Sequence, residues 1–130
     1  MKALLVGEGT RAEALATALR RAGVRVDLRS EEASGPQAGR GDVGMLPREI
    51  LDLERLLTGE PPDAVLVASD GDAALAAAIV ATKLVVPLAT LGEPGSAGRE
   101  AEVNRTLLTS LADARLADDP QTAASWVAGT

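Results

Sequence analysis

Apolar and polar positions follow two different periods along the chain. Five short runs rich in Val, Leu and Ala are typical of buried strands, and they predict strands over residues 2–6, 24–28, 64–68, 84–91 and 114–117. In the segments between them, apolar residues recur every three or four positions. That spacing puts them on one face of a helix and predicts helices over residues 10–22, 47–57, 72–82, 99–111 and 120–128.

The predicted strands and helices alternate along the chain. Such alternation is typical of an α/β fold in which helices cover both faces of a parallel sheet. Because crossovers are right-handed, we expect a three-layer, Rossmann-like or flavodoxin-like open parallel sheet of about five strands in the order 2-1-3-4-5. Residues 1–130 are expected to form a single domain, with a mobile loop over about 30–44, where Gly, Ser and Ala are frequent.

Two helix starts carry the same pattern, a hydroxyl residue followed three positions later by an acid. Thr10 and Glu13 form it at the first helix, and Ser69 and Asp72 form it at the third. In a capping box the hydroxyl accepts a hydrogen bond from the amide of the acid, and the carboxylate reaches back to the amide of the hydroxyl residue. The pattern therefore predicts a capping box at each start.

The predicted helix over residues 72–82 is apolar on nearly every side. A helix of this kind is buried against the sheet on one side and against something else on the other. We therefore expect a homodimer, or a complex with a partner chain, that forms through this helix. On the fourth helix, Val103, Leu107 and Leu111 are expected to face inward because they recur at helical spacing.

Composition narrows the classes of function. The chain has 130 residues, 46% of them hydrophobic and 25% charged, with a net charge of -6, which describes an acidic globular domain. It contains no Cys and no His, and this excludes disulfides, Cys/His zinc sites, thiol nucleophiles and triads that need an imidazole. The acidic balance and a single aromatic residue, Trp126, argue against nucleic acid as a partner. No metal is expected.

Membrane insertion is not expected either. Glu8 and Arg11 interrupt the apolar run at the start of the chain, so that run is interpreted as a buried strand and not as a leader. The longest later apolar stretch, over residues 73–81, is too short to span a bilayer. The expected location is cytoplasmic.

The candidate site follows from the expected strand order. In an open α/β sheet, ligands bind beyond the carboxyl ends of the strands where the order reverses, here between strands one and three. Two loops that open helices meet there, with small or polar residues suited to bind a phosphate or a carboxylate on helix amides. The candidate ligand-binding residues in these loops are Gly7, Gly9, Thr10, Arg11, Ser69 and Gly71. Arg11 could hold a phosphate with two hydrogen bonds.

A dinucleotide-binding module is an alternative. Gly7, Gly9 and Ala12 match the relaxed glycine fingerprint, and Asp27 lies 20 residues after Gly7. However, Asp27 falls inside the second predicted strand, whereas an acid that binds ribose belongs at its end. The same small residues also suit a tight turn between strand and helix. No cofactor is therefore expected.

Four motifs in order resemble the non-hydrolysing UDP-N-acetylglucosamine 2-epimerases. Gly-Thr-Arg-Ala-Glu-Ala at 9–14 is similar to their Gly-Thr-Arg-Pro-Glu-Ala opening. Pro-Asp-Ala-Val-Leu-Val-Ala-Ser-Asp at 62–70 is similar to Pro-Asp-Val-Val-Leu-Val-His-Gly-Asp. Val-Pro-Leu at 86–88 resembles Ile-Pro-Val, and Glu-Val-Asn-Arg-Thr-Leu-Leu at 102–108 resembles Glu-Ala-Asn-Arg-Thr-Leu-Thr.

The resemblance implies one half of a two-part enzyme. Members of that family have two Rossmann-like halves, the GT-B fold type, and hold the nucleotide-sugar in the cleft between them, largely through the second half. Their reaction eliminates UDP and adds it back after the sugar is reprotonated on its other face. This chain resembles only the first half, and the second half, with its essential His, is absent from it.

Several family positions are changed here. Ala16 stands where the family has Lys, Ala68 where it has His, and Ala101 where it has Glu. The catalytic-type Glu after the fourth strand is lost or displaced to Glu93. The resemblance therefore implies a chain without epimerase activity on its own.

Five polar residues of the motifs remain: Arg11, Asp70, Glu102, Asn104 and Arg105. Asp70 and Glu102 are the candidate remnants of the catalytic groups, since two carboxylates in a closed cleft can exchange protons. Asn104 and Arg105 join the ligand-binding candidates. As alternatives, Asp70 caps the third helix, and Glu102 forms a surface pair with Arg105.

Three functions are consistent with these residues. The first is an epimerase-related domain, inactive alone, that binds a UDP-sugar or another phosphorylated small molecule weakly or acts as an interaction module. The second is one half of a split epimerase or glycosyltransferase-like enzyme. The third is a small dinucleotide-binding module.

Overall fold

The computed structural model describes residues 1–31, 45–92 and 97–130. Five strands and five helices alternate along the chain, as the sequence predicts. They are β1 (Lys2–Gly7), α1 (Gly9–Arg21), β2 (Arg25–Ser30), α2 (Met45–Gly59), β3 (Ala64–Val67), α3 (Asp72–Leu84), β4 (Leu88–Leu91), α4 (Arg99–Leu111), β5 (Ala114–Leu116) and α5 (Pro120–Ala128). Most of the loop predicted over 30–44 lies outside the described residues, as does Glu93.

The five strands form one parallel sheet in the order β2-β1-β3-β4-β5, which confirms the predicted topology. β1 lies between β2 and β3, and its residue Val6 is paired with Val67 of β3. The carboxyl ends of these two strands therefore lie side by side where the strand order reverses. This edge of the sheet, with the loops that follow the strands, is called the carboxyl edge below.

Helices cover both faces of the sheet. α1 and α5 pack on one face, and α2, α3 and α4 pack on the other. Every residue of β3 is buried, as expected for a central strand covered on both sides. Among the described residues, no helix is long and apolar enough to cross a membrane.

The apolar helix α3 is buried by its own chain. Its Ala, Leu and Val side chains face the sheet and the flanking helices α2 and α4, and eight of them are buried. The pattern that suggested a partner is thus accounted for within one molecule. Dimerisation through residues 72–82 stays a prediction.

The end of α3 differs from the prediction of a strand beginning at residue 84. The helix continues to Leu84 and stops at Val85, which has left-handed backbone angles (φ 57°, ψ 42°) and is 88% exposed. The amide of Val86 then donates to the carbonyl of Ala81 at 2.8 Å, which closes the helix end. β4 consequently begins only at Leu88.

The inward face of α4 also differs from the apolar periodicity. Val103 and Leu107 are exposed, whereas Asn104 and Leu108 are buried. The physical reason is a polar contact: the side-chain amide of Asn104 donates to the carbonyl of Asp70 at 2.9 Å. The prediction that Val103 and Leu107 face the core is therefore wrong.

Both predicted capping boxes are also wrong. α1 begins at Gly9, which has a positive φ of 66°, so Glu8 and not Thr10 takes the cap position, and the side chain of Glu8 makes no capping hydrogen bond. α3 has Gly71 at its cap position, and Ser69 lies before it. By contrast, the predicted start of α5 is confirmed, because Asp119 accepts from the amide of Thr122 at 3.1 Å.

Candidate functional site

The turn between β1 and α1 owes its shape to two glycines. A Cβ on Gly7 would lie 2.8 Å from the Cβ of Ala12, so α1 packs closely on the end of β1 only because Gly7 has no side chain. Gly9 has the positive φ that turns the chain into the helix. These observations favour the tight-turn explanation of the glycine fingerprint. Gly9, Thr10 and Arg11 are exposed at the start of α1.

Arg11 is engaged with an acid of the same chain. Its Nε donates to Oδ2 of Asp118 at 2.9 Å, and its Nη2 donates to the same oxygen. The two side chains are 48% and 38% exposed. The pair lies over Gly92 at the end of β4, where a Cβ would be 3.0 Å from Nη2 of Arg11. Arg11, which is predicted to bind a phosphate, therefore lies at the carboxyl edge and forms a solvent-exposed ion pair with Asp118.

Glu31 joins β2 to the start of α3. Its amide donates to the carbonyl of Gly7 at 2.6 Å, which fixes the backbone across the end of β1. Its carboxylate accepts from Ser69 Oγ at 2.8 Å and from the amides of Ala73 and Ala74 at 2.8 and 2.9 Å. Glu31 therefore caps α3 from a distant part of the chain and lies across the point where the strand order reverses.

Gly71 makes room for this contact. A Cβ on Gly71 would lie 2.5 Å from Cδ of Glu31. Burial raises the pKa of the Glu31 carboxyl, and the nearby charge of Asp72 acts in the same direction, whereas the hydrogen bonds from Ser69, Ala73 and Ala74 oppose them. Three hydrogen-bond donors thus hold the carboxyl group, and the group loses part of its hydration in this position.

Sequence reasoning missed Glu31 because it belongs to the stretch interpreted as a loop. One signal could have found it. Glu31 is the first residue after β2, and in a parallel sheet that position belongs to the carboxyl edge. An acid there is one strand away from the switch point, the place between β1 and β3 where the strand order reverses.

Asp70 is held by α4. Its carboxylate is only 4% exposed and pairs with Nη1 of Arg105 at 2.7 Å, and its carbonyl accepts from Asn104. Arg105 is 31% exposed. The alternative that Asp70 caps α3 is wrong, because Glu31 does so. The structure therefore brings together three of the residues selected from the sequence motifs, Asp70, Asn104 and Arg105.

Glu102 lies elsewhere on the same helix. It is exposed, one turn before Arg105, and both residues line a shallow depression on α4 together with Thr106, Thr109 and Ser110. The two candidate catalytic carboxylates thus have different surroundings, since Asp70 is buried in an ion pair and Glu102 faces solvent. Their catalytic role stays a prediction.

Asp27 lacks the position that a ribose-binding acid needs. It is exposed, three residues before the end of β2, and its Oδ2 lies 3.3 Å from Nζ of Lys2. Lys2 begins β1, and it also pairs with Glu60 at 2.9 Å. Asp27 therefore belongs to a cluster of charges toward the amino ends of the strands.

The hydrogen-bond donors at the two helix starts of the carboxyl edge differ in whether they already have a partner. At α1 the helix start is exposed and no described side chain caps it, whereas at α3 the corresponding donors hold Glu31. Arg11 and Arg105 each bind an aspartate. Within residues 1–31, 45–92 and 97–130, no group of three or more acidic side chains could hold a metal ion. The arrangement suits an anion at α1 more readily than at α3.

The fold defined by this sheet is the Rossmann-like α/β fold of GT-B enzymes. The UDP-GlcNAc 2-epimerase of Methanocaldococcus jannaschii in complex with UDP-GlcNAc and UDP matches 86% of the chain, with 20% identity and a TM-score of 0.70. S. aureus MnaA, solved with UDP, matches 99% with 23% identity and a TM-score of 0.66. MurG of Acinetobacter baumannii matches 93% with 18% identity and a TM-score of 0.66. No family model and no curated protein matches the sequence.

These structures confirm the fold that the motif resemblance implies. The chain spans only about two fifths of each of these proteins, between 39% and 42% of their length. It therefore has the fold of one Rossmann-like part of a UDP-GlcNAc 2-epimerase.

Proposed function

We propose that the chain is an epimerase-related domain that binds a UDP-sugar or another phosphorylated small molecule weakly and has no epimerase activity by itself. One observation carries this proposal: the chain shares its fold, over 86% of its length, with a UDP-GlcNAc 2-epimerase solved with UDP-GlcNAc and UDP. The cytoplasmic location expected from the sequence is part of the proposal.

The start of α1 is the place where a phosphate group would bind first. The amides of an uncapped helix start point outward and carry a partial positive charge. Arg11 lies in this first turn and is half exposed. A phosphate could share the guanidinium with Asp118 or replace Asp118 as its partner.

Weak binding follows from the same geometry. Arg11 and Arg105 already have carboxylate partners, and the α3 donors hold Glu31, so a ligand has to compete with acids of the chain itself. The resemblance to a two-part enzyme implies that this edge is one half of a site, and the chain spans only 39% of the neighbour solved with UDP-GlcNAc and UDP. An open half-site does not exclude water, which weakens electrostatic contacts and general acid–base chemistry.

Amide chemical shifts test the proposal. A ¹⁵N-labelled sample is titrated with UDP-GlcNAc, UDP, NAD and NADP. We expect shifts at residues 9–11 and at Asp70 with UDP-GlcNAc and UDP, and no formation of the 2-epimer. Shifts with NAD or NADP alone would replace the proposal by the dinucleotide module. No shift with any ligand would leave a role in protein interaction.

A second candidate is one half of a split epimerase or glycosyltransferase-like enzyme. It is favoured by the share of the neighbours that the chain spans, which is close to two fifths. The mass of the native assembly, isolated from its source cells, tests this candidate together with its epimerase activity. A heteromer that converts UDP-GlcNAc would support it, a homodimer would support self-association of the chain, and a monomer at high concentration would reject both.

A further inference from the structure

The Glu31 carboxylate is an anion seated on donors at the candidate site. A hydroxyl, Ser69 Oγ, and two helix amides, those of Ala73 and Ala74, converge on it within 2.8–2.9 Å. Hydroxyls and amides at a helix start are also the donors that bind phosphate groups. A phosphate on this side of the switch point would therefore need donors that Glu31 already uses.

Two further features of the structure accommodate this contact. Gly71 has no side chain at the one place where a Cβ would collide with Cδ of Glu31. The backbone of Glu31 is fixed as well, because its amide donates to Gly7 at 2.6 Å. The fixed backbone of Glu31 therefore directs its side chain toward α3, and the absence of a side chain on Gly71 leaves room for the carboxylate there.

We propose that Glu31 is an internal competitor, whose carboxylate occupies the phosphate donors of α3 until a ligand displaces it. This inference rests on the proposed function, since it concerns the α3 side of the same carboxyl edge. Ligand binding is then coupled to the release of Glu31, and the apparent affinity is lowered by the fraction of molecules in which the donors are vacant. If about one molecule in ten has vacant donors, affinity is lowered about tenfold.

Burial of the carboxylate weakens the contact. The carboxylate gives up part of its hydration in this position, and burial accordingly raises the pKa of Glu31. Moving the side chain into solvent returns that hydration, which offsets part of the three lost hydrogen bonds. Displacement by a phosphate of higher charge is therefore feasible at moderate ligand concentration.

The test compares the affinity of UDP, and of inorganic phosphate, for the native chain and for two variants, measured by isothermal titration calorimetry. Glu31→Ala removes the competitor, and Glu31→Gln removes its charge but keeps its size. The same two substitutions at Glu60 serve as controls, because Glu60 is an exposed acid near the opposite, amino edge of the sheet. Circular dichroism establishes that each variant is folded.

We expect Glu31→Ala to bind UDP about tenfold more tightly than the native chain, with Glu31→Gln in between and the Glu60 variants unchanged. If Glu31→Ala does not fold, Glu31→Gln decides alone, with an expected gain of about threefold. Equal affinity of native chain and variants would overturn the inference and leave the proposed function standing. Equal gains at Glu31 and Glu60 would show a general effect of charge and would also overturn it. No binding by any variant would overturn both.

Discussion

The starts of α1 and α3 look alike in sequence and differ in structure. Each follows a buried parallel strand, and each carries a hydroxyl residue three positions before an acid. In the structure, α1 begins with exposed residues and no side chain of the described ranges caps it, whereas α3 begins under the carboxylate of Glu31. The comparison teaches that a local motif does not decide which group binds the helix amides. A residue about 40 positions away decides it here.

The same contrast applies to the two arginine–aspartate pairs of the edge. Arg11 and Asp118 are both more than one third exposed, whereas Asp70 is buried beneath Arg105. Exposed pairs contribute little because water screens the charges and the side chains lose entropy. In a buried pair, loss of one partner leaves a charge without compensation. The α3 side of the edge should therefore depend more strongly on its polar contacts.

The largest expected effect comes from Arg105→Ala. It leaves the Asp70 carboxylate buried and without its ion pair, and we expect the free energy of unfolding to fall by about 2–3 kcal/mol. Asp70→Asn is expected to cost about 1 kcal/mol, because Arg105 is 31% exposed and its charge stays in contact with water. Urea denaturation of both variants measures the two costs. Equal costs would show that burial does not distinguish the partners.

Replacing the glycine at either helix start by alanine should lower the free energy of unfolding by a similar amount, but for a different reason in each case. Gly7→Ala pushes α1 away from β1, and Gly71→Ala displaces Glu31 from its donors, each with an expected cost of about 1–2 kcal/mol. The same urea unfolding is then repeated in the Glu31→Ala background. There the cost of Gly71→Ala should disappear, because the collision partner is gone, while the cost of Gly7→Ala persists. Persistence of both costs would contradict the role assigned to Gly71.

Arg11→Ala should lower stability by less than about 1 kcal/mol, since both members of its pair are exposed. Thermal unfolding with and without added salt measures this cost. We expect the small difference from the native chain to shrink as salt screens the pair. A salt-independent loss larger than that of Arg105→Ala would reverse the comparison of the two sides.

The smallest expected effect is the pH dependence that Glu31 gives to the free energy of unfolding. Because the pKa of Glu31 is raised in the folded chain above its ordinary value of 4.5, the folded state holds this proton more tightly than the unfolded state. Its contribution to stability is therefore present at low pH and is lost as pH rises from about 4.5 through the raised pKa. Glu31→Gln should remove this loss, as measured by urea unfolding between about pH 4 and about pH 7.

Glu60 supplies a control of opposite sign for that measurement. The hydrogen bond and charge of Lys2 lower the pKa of Glu60 below its ordinary value of 4.5. Its contribution is present above 4.5 and is lost as pH falls through the lowered pKa. Slopes of the same sign for Glu31→Gln and Glu60→Gln would contradict the assignment.

The fold could be predicted from sequence because apolar runs and helical spacing reflect burial directly. β3 is apolar throughout and lies in the centre of the sheet, and the strand order follows from alternation and handedness. The ends of elements were harder to predict. The residues at 84 and 85 are as apolar as a strand, yet the hydrogen bond from Val86 to Ala81 closes a helix there.

The candidate site was predictable only in its position. The switch point lies where the sequence places it, and the motif residues Asp70, Asn104 and Arg105 meet there. Their partners were not predictable, because a hydrogen bond between residues 31 and 73 leaves no period in the sequence. For the same reason, Asn104 was not recognised as the residue that sets the inner face of α4.

Val85 has a consequence for anyone who wishes to manipulate this protein. An exposed, β-branched residue in a left-handed conformation stores about 1–2 kcal/mol that glycine at the same place would not. The position lies between α3 and β4, at the end of the helix opposite Glu31. Val85→Gly is therefore a ready second-site suppressor, able to restore folding to a weakened variant without touching the carboxyl edge.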